Sequence, residues 1–547
     1  MRSTMMTAPL TLDRILERAR IFHDVQIVSR RPDRSLLRTT YGDLYRRARQ
    51  LAQALTAAGL KPGDRVATLM WNHATHLESY FGVPIAGGVL HTLNLRLHAE
   101  DIAYIAQHAG DRFLIVDDCL LPLYAKFRDQ VRFERVIVVR FDGSIDHDHE
   151  DYDAFIGAHD GDFVYPALDE NAAAGMCYTS GTTGRPKGVV YSHRSNVLHA
   201  LAEALPDAMG LSMRDVLLPV VPMFHANAWG LPYVATMVGC VQVFPGPHLD
   251  AQSLLELMSE TGTTLAGGVP TIWMGVLQLL RDHPGRWPLA DGLRLMVGGS
   301  APPPALIQGL ADHGIQLHPA WGLTETSPLA SFNRLRPELD ARPPAERLRY
   351  GAKAGIPLPL VDLRLVNEDG IARWDGESVG EIEVRGPWVT ASYHERPDAA
   401  DRFSDDGWFR TGDVAAVTPE GYITITDRAK DLIKSGGEWI SSVDLENELM
   451  AHPAVAEAAV IAVHHDKWME RPLAVVVTRA GAQVTAEQLR AHLKGKVADW
   501  WLPDGYEFIE QIPRTSTGKF QKLRLREMFA QWRAPEGHGA APSTTTD

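Results

Sequence analysis

The chain has 547 residues, too many for one ordinary core, so a large domain with at least one smaller companion is expected. Its formal net charge of −14 excludes a general nucleic-acid binder, because phosphate contacts need a positive field, and 45% hydrophobic with 22% charged residues is the balance of a globular protein. Three widely spaced cysteines, Cys119, Cys177 and Cys240, build neither a disulfide framework nor a zinc site and fit a reducing, cytoplasmic setting.

Near the N-terminus Leu12, Ile15 and Leu16 are interleaved with Asp13, Arg14, Glu17 and Arg18, the pattern of an amphipathic helix and not of a signal peptide. No stretch is long enough and apolar enough to predict a transmembrane segment. Residues 40–58 read as a helix, with Leu44, Ala48, Leu51 and Leu55 on one face and Gly59 as the stop. Residues 64–70 follow the turn Pro62-Gly63 and read as a strand, as do the short apolar runs 112–117 and 135–139. Strands alternating with helices predict parallel sheets covered by helices. From residue 361 the pattern becomes β-rich: 361–366, 380–384, and a hairpin of 412–417 with 422–426 around Pro419-Glu420-Gly421. The charged run 427–431 marks a domain boundary. Beyond it, 443–450 and 486–497 read as helices and 458–463 and 473–477 as strands, giving a small α+β domain. The Gly-, Ala-, Ser- and Thr-rich end has no periodicity and is expected to be disordered.

The densest chemistry lies in Tyr178-Thr179-Ser180-Gly181-Thr182-Thr183-Gly184-Arg185-Pro186-Lys187-Gly188. Glycines let the backbone turn its amides towards a polyphosphate, hydroxyls donate to its oxygens or reach a metal, and the cations balance its charge. The loop is not a Walker A motif, since Lys187 is followed by Gly188 and not by Ser or Thr; this opposes a P-loop kinase.

Five further blocks follow: Trp321-Gly322-Leu323-Thr324-Glu325-Thr326, Thr411-Gly412-Asp413, Asp427-Arg428-Ala429-Lys430-Asp431, Ser435-Gly436-Gly437-Glu438-Trp439, and Pro513-Arg514-Thr515-Ser516-Thr517-Gly518-Lys519. Through these six blocks, in order, the chain resembles the adenylate-forming superfamily over nearly its whole length. That superfamily comprises acyl-CoA synthetases, peptide-synthetase adenylation domains and beetle luciferases. The resemblance implies an α/β fold: a large N-terminal domain (1–427) of parallel sheets covered by helices plus a β-barrel-like subdomain, a hinge at 428–430, a small mobile α+β domain at 431–535, and a tail at 536–547. It implies a carboxylic acid, ATP taken as Mg-ATP, and coenzyme A as reactants, with a homodimer as the expected assembly.

The implied roles follow from the chemistry. A carboxylate and a triphosphate are both anions, so joining them demands positive charge and positioning. The resemblance gives that charge to Lys519, the Mg²⁺ to Glu325 with Thr179, and the α-phosphate to Thr324. Thr179, Ser180, Gly181, Thr182, Thr183, Gly184 and Lys187 are expected around the phosphates. Asp413 offers two acceptor oxygens to the ribose hydroxyls, with Arg428 behind them. Gly299, Ser300 and Ala301 with Pro319, Ala320 and Trp321 are expected to line the adenine slot; Trp321 stands where many relatives carry Tyr, so a flat ring is kept and a phenol hydroxyl lost. Lys430 falls at the hinge position. Lys434 and Trp439 are expected near the nucleotide or the coenzyme A channel, and Ser435, Gly436 and Gly437 on the face that receives the thiol.

On the acyl side, Pro222-Met223-Phe224-His225-Ala226-Asn227-Ala228-Trp229-Gly230 resembles the segment in which an aromatic residue gates the acyl tunnel of fatty-acyl-CoA synthetases. It places His225 beside the carboxylate and Trp229 at the gate, with Trp388 a further contact to the nucleotide or acyl path. A medium-chain fatty acid is the expected substrate. A 3-methylthiopropionyl-CoA ligase is the alternative within the same chemistry, and an adenylation enzyme loading a carrier protein the alternative outside it. Against the latter, the segment around His225 lacks the Asp expected for an amino-acid ammonium. A non-catalytic nucleotide binder would be favoured by loss of Lys519 or Glu325, and both are present.

Overall fold

The computed structural model describes residues 3–143, 145–179, 185–428, 431–435, 438–465, 467–514 and 519–533. The expected residues Ser180, Gly181, Thr182, Thr183, Gly184, Lys430, Gly436 and Gly437, and the tail, lie outside that set. Two large sheets dominate. One has seven strands in the order Glu150–Asp151, Arg135–Val139, Asp111–Asp117, Arg65–Leu69, Val89–Thr92, Ala173–Tyr178, Gly188–Ser192. The other has nine, in the order Ile356–Pro357, Leu329–Phe332, Gln316–Gly322, Arg294–Val297, Leu265–Gly268, Val216–Pro219, Val241–Phe244, Gln26–Arg30, Leu36–Thr40. Its inner pairs, from Gln316–Gly322 to Gln26–Arg30, are all parallel.

Side-chain alternation explains the layering. Phe113 and Ile115 enter one core while Leu114 and Val116 enter another. Leu217 and Met296 face the first core, and Leu218, Leu295 and Val297 face a third. A period of two on strands with unbroken apolar runs means both faces are covered. The first core holds the helices Tyr41–Ala57, Ala74–Ile85 and Leu231–Val238 between the sheets. Helices Ala251–Thr261, Pro270–Asp282 and Pro304–Ala311 cover the outer face of the nine-stranded sheet, and Ala99–Ala109 covers that of the seven-stranded one. The helix expected at 40–58 forms as Tyr41–Ala57, with a reciprocal capping box between Thr40 and Asp43.

The expected β-barrel-like subdomain is an antiparallel sheet in the order Gly370–Ile371, Asp362–Asn367, Val379–Arg385, Phe409–Val417, Ile423–Arg428. The small domain packs the hairpin Val455–His465 and Met469–Thr478 against the helices Ser442–Met450 and Ala486–Leu493. Two sequence expectations are corrected. The helix read over 486–497 stops at Leu493, because Lys494 turns extended and Gly495 takes φ +77°. The first helix is two short ones, Leu12–Leu16 and Arg18–Ile21, and its Leu12, Ile15 and Leu16 are buried. Among the described residues no helix is long and apolar enough to cross a membrane.

Polar contacts join the two domains beside the expected hinge. Ser441 Oγ donates to Thr426 O at 2.8 Å, and the Ser442 amide donates to Asp427 Oδ2 at 2.9 Å. Inside the small domain, next to these contacts, Lys522 pairs with Glu446 at 2.7 Å and Arg526 with Asp431 at 2.6 Å, and Lys522 also feels the charge of Asp427 across the boundary. Burial disfavours the Lys522 charge, but Glu446, Asp427 and Asp431 around it outweigh burial and hold the ammonium protonated.

Several histidines of the large domain are buried as neutral rings. His193 Nδ1 accepts from the Leu12 amide at 3.3 Å and His199 Nε2 from the Leu329 amide at 3.1 Å, which an imidazolium cannot do. Burial lowers His76 and His199 to about 3, and His193 and His318 to about 4. At these four sites the unfolded chain therefore binds protons first: their contribution to stability is complete above about pH 6.5 and is lost as pH falls towards 4. Thermal unfolding between pH 7.5 and 4.5 should show a midpoint that falls steadily below pH 6.5. Substituting His193→Gln should remove about one proton from the uptake on unfolding.

Candidate active site

In a parallel sheet the ligand crevice lies outside the carboxyl ends of the strands. Here Val216–Pro219, Leu265–Gly268, Arg294–Val297 and Gln316–Gly322 all point their carboxyl ends to one edge. The expected residues His225, Gly299 and Glu325 follow from those ends in the sequence, and Trp321 is the last residue but one of Gln316–Gly322 itself. Gly298, Gly299 and Ser300 continue from Val297, and Gly299, Ser300 and Ala301 are exposed. Gly299 takes φ +90°, and a Cβ there would lie 3.1 Å from the Lys519 side chain. A residue more than two hundred positions away, in the small domain, thus rests on the glycine turn of the large one.

His225 is half-buried on the same edge. Desolvation lowers its pKa to about 3, and the nearby charges of Lys519 and Arg96 push in the same direction. The imidazole is therefore neutral at working pH, and the positive charge comes from Lys519 and Arg96. Arg96, which sequence reasoning missed, lies 5.9 Å from the centre of the Phe224 ring. Its signal was a lone arginine in a helix-start segment, which is usually solvated surface.

The phosphate-loop residues that are described form the base of a hairpin. Tyr178 pairs with Gly188, the Thr179 amide donates to Lys187 O at 2.9 Å, and the Lys187 amide donates to Thr179 Oγ1 at 3.2 Å. Gly188 lies in a tight space: a Cβ would sit 3.0 Å from the Tyr178 ring and 3.2 Å from His394 Cβ. The Lys187 ammonium lies 5.1 Å from the centre of the Tyr393 ring, and Tyr393 Oη donates to Glu325 Oε1 at 2.6 Å. Burial, with the Glu325 charge, raises the Tyr393 phenol and keeps it a donor. Thr324–Thr326 is a short 3₁₀ turn held by Tyr191 Oη donating to Thr324 O and the Thr390 amide donating to Glu325 O, both at 2.8 Å. Lys187, Tyr393, Glu325 and Thr179 are thus one cluster. Among the described residues no group of three or more acidic, His or Cys side chains forms a metal cage. A single carboxylate still fits a Mg²⁺ that takes its other ligands from water and substrate phosphates.

Asp413 and Trp321 meet directly. The indole Nε1–H donates to Asp413 Oδ2 at 2.8 Å, and both side chains are buried. The polar handle that the sequence suggested was lost with Tyr is present as an indole N–H.

Trp229 packs close against Gly298 and touches Gly267 at ordinary contact distance. A Cβ on Gly298 would be 3.0 Å from its ring, and one on Gly267 3.8 Å. The ring is presented by a left-handed turn: φ is 43°, 51°, 49° and 60° at Ala226, Asn227, Ala228 and Trp229, then 78° at Gly230. Each such non-glycine residue costs about 1–2 kcal/mol. The preceding segment is clamped by Asn72, whose amide group donates to Pro219 O and Val221 O at 3.0 and 2.9 Å and accepts from the Met223 amide at 2.7 Å.

Other expected residues lie apart from this cluster. Trp388 is fully buried, donates to Leu329 O at 3.0 Å and meets His199 edge-on. Ser435 is buried, its hydroxyl accepting from Arg471 at 3.1 Å, while Lys434 is exposed. Pro319 is buried and Ala320 half-buried on the strand that carries Trp321. The backbones of Arg428 and Trp439 lie on the strands Ile423–Arg428 and Glu438–Ile440.

Known proteins resemble the chain over nearly its whole length. The sequence pattern of the AMP-binding enzyme family matches residues 18–394, and that of the AMP-binding enzyme C-terminal domain matches 444–519. A long-chain-fatty-acid–CoA ligase of Thermus thermophilus is 49% identical over 534 residues, covering 97% of each chain. A medium-chain-fatty-acid–CoA ligase of Ectopseudomonas oleovorans is 43% identical, over 97% of this chain and 98% of that one. The crystal structure of ATP-bound MatB from Rhodopseudomonas palustris superposes with a TM-score of 0.80 at 28% identity, over 95% of this chain and 99% of that one.

Proposed function

The chain belongs to the AMP-binding enzyme family and is an AMP-forming acyl-CoA ligase, and from that premise we propose how its residues divide the reaction and which acid it takes. In the first half-reaction a carboxylate oxygen attacks the α-phosphorus of ATP, the bond to the β-phosphoryl oxygen breaks, and pyrophosphate leaves. In the second the sulfur of coenzyme A attacks the acyl carbon and AMP leaves. The proposed acid is a medium-chain fatty acid; 3-methylthiopropionate is the alternative.

The observation that supports this division is Lys519 lying against Gly299 and acting on His225. Lys519 is proposed to bridge the attacking carboxylate and the α-phosphate, with neutral His225 beside the carboxylate. Thr324 takes the α-phosphate, Lys187 the outer phosphates, and Asp413 the ribose. Glu325, with Thr179, would hold Mg²⁺, which supplies charge to neutralise the phosphate oxygens when bound. Trp229, packed against Gly298, is the proposed wall of the acyl slot. After adenylation the small domain is proposed to turn at 428–430, withdrawing Lys519 and bringing the loop at 435–437 to the site. Rotation would break the Ser441–Thr426 and Ser442–Asp427 contacts. The three free cysteines accord with a cytoplasmic enzyme; the homodimer rests on the resemblance alone.

The wild-type enzyme, incubated with ATP, Mg²⁺, coenzyme A and a panel of C2 to C16 acids plus 3-methylthiopropionate, should yield AMP and acyl-CoA with a maximum at medium chain length. Trp229→Ala should move that maximum. No acyl-CoA from any aliphatic acid would overturn the substrate proposal. Lys519→Ala should lower acyl-AMP formation by about 10²- to 10³-fold and leave thioester formation from supplied acyl-AMP within about threefold; equal loss in both would remove the two-orientation scheme. Tyr393→Phe, which deletes the bond to Glu325, should raise the Mg²⁺ concentration for half-maximal rate about tenfold, with kcat at saturating Mg²⁺ nearly kept.

A further inference from the structure

Trp321 and Asp413 come from different sheets and meet in the site. Trp321 is on Gln316–Gly322, at the end of the parallel run, and Asp413 is on Phe409–Val417 of the antiparallel sheet. The indole is a donor only, and its bond to an ionised carboxylate is charge-assisted, hence stronger than one between neutral groups. Trp321 is 9% and Asp413 4% exposed, so water competes weakly for the 2.8 Å contact.

The backbone beneath Asp413 is fixed separately. Its amide donates to Thr411 Oγ1 at 3.1 Å, the Thr411 hydroxyl donates to Ile382 O at 2.7 Å, and the Gly412 amide donates to Glu381 at 2.9 Å. Those bonds place the Cα of Asp413 but not the plane of its carboxylate, because that last torsion is broad and two-fold. The indole acts on that torsion. It occupies one lone pair of Oδ2 at 2.8 Å. A vicinal diol needs two acceptor oxygens in a set plane, so the orientation of the carboxylate decides whether both hydroxyls are held together. The indole N–H lies in the plane of the ring. One side chain can therefore offer its face to a base and its edge to the carboxylate that holds the sugar.

We propose that Trp321 is a positioning residue for the nucleotide: its indole N–H sets the plane of the Asp413 carboxylate, and with it the discrimination between a ribonucleotide and one lacking a ribose hydroxyl. The proposal rests on the reading of Asp413 as the ribose acceptor.

Trp321→Phe keeps a flat ring and deletes the N–H. Kinetics with ATP, 2′-deoxy-ATP and 3′-deoxy-ATP are the readout, taken well below the thermal midpoint of each variant. The KM for ATP should rise about tenfold or more, the effect of losing a hydrogen bond to a charged group, with kcat within about threefold. The ratio of kcat/KM for ATP to that for each deoxynucleotide should shrink at least about fivefold. If all three nucleotides lose equally, or none does, Trp321 has no positioning role. Should Trp321→Phe fail to fold, Trp321→Tyr replaces it; its hydroxyl stands at the ring tip and not at the indole edge, so the same narrowing is expected and its absence overturns the proposal. Asp413→Asn separates the two layers. If it leaves the three ratios as in wild type, the ribose role of Asp413 fails and the proposal with it. If it collapses them while Trp321→Phe does not, the inference about Trp321 alone falls.

Discussion

A carboxylate and a triphosphate repel one another, and the cation that brings them together cannot stay if a thiol must then reach the same carbon. With the role proposed for Lys519, that constraint accounts for its place on a separate small domain and against a glycine of the large one. It also explains the state of His225. A protonated imidazole would repel Lys519 and Arg96, and burial with those two charges keeps the ring neutral, with a pKa near 3. The neutral ring can still donate one hydrogen bond to a carboxylate without competing for the role of counter-charge.

The two kinds of packing in the molecule follow from the same requirement. Among the described residues the large domain is held mainly by its three largest apolar cores, which exploit both faces of its parallel sheets. Its site residues hang from strand ends that cannot shift without disturbing those cores. The junction with the small domain is built differently, from hydroxyls, carboxylates and cations: Ser441 on Thr426, Ser442 on Asp427, Lys522 among Glu446, Asp427 and Asp431. Polar contacts of this kind exchange readily for water, and interfaces between mobile domains share that character. An apolar junction of equal area would resist separation.

Much of the frame was legible in the sequence because it is repetitive. Strands with unbroken apolar runs, such as 113–116 within 112–117 and 136–139 within 135–139, declare sheets buried on both faces, and the glycine-rich and acidic blocks declare a nucleotide site. What escaped was whatever depends on two distant segments meeting. Tyr393 acquires meaning through Glu325, and Arg96 through His225 and Lys519; in the sequence they are a tyrosine and an arginine in loops. Reading Trp321 in isolation suggested a lost hydroxyl, whereas the partner that makes its N–H useful lies ninety-two positions further on. The overrun of the helix beyond Leu493 has a local cause: apolar periodicity continues to Val497, but Gly495 at φ +77° breaks the backbone first.

The left-handed turn at Ala226–Gly230 shows how a strained backbone is kept at a site where shape matters. Four non-glycine residues in that conformation carry several kcal/mol of strain, so the rest of the domain must hold them. Behind the turn, the Cys177 thiol donates to Asn227 Oδ1 at 3.2 Å, and the Ala228 amide donates to His225 O at 3.1 Å. Beneath Gly230 lie His199 and Glu203, so close that a Cβ would sit 2.7 Å from the imidazole and 3.0 Å from the carboxyl. Burial raises Glu203 and lowers His199, so both are neutral and no uncompensated charge lies under the turn. A right-handed turn would aim Trp229 elsewhere; the left-handed one brings its indole against Gly298, where a Cβ would sit 3.0 Å from the ring. The position of the Trp229 ring, the proposed acyl wall, is therefore set jointly by the strain in its backbone, the neutral pair below it and the glycine in front. Residues away from the proposed slot thus take part in fixing its width.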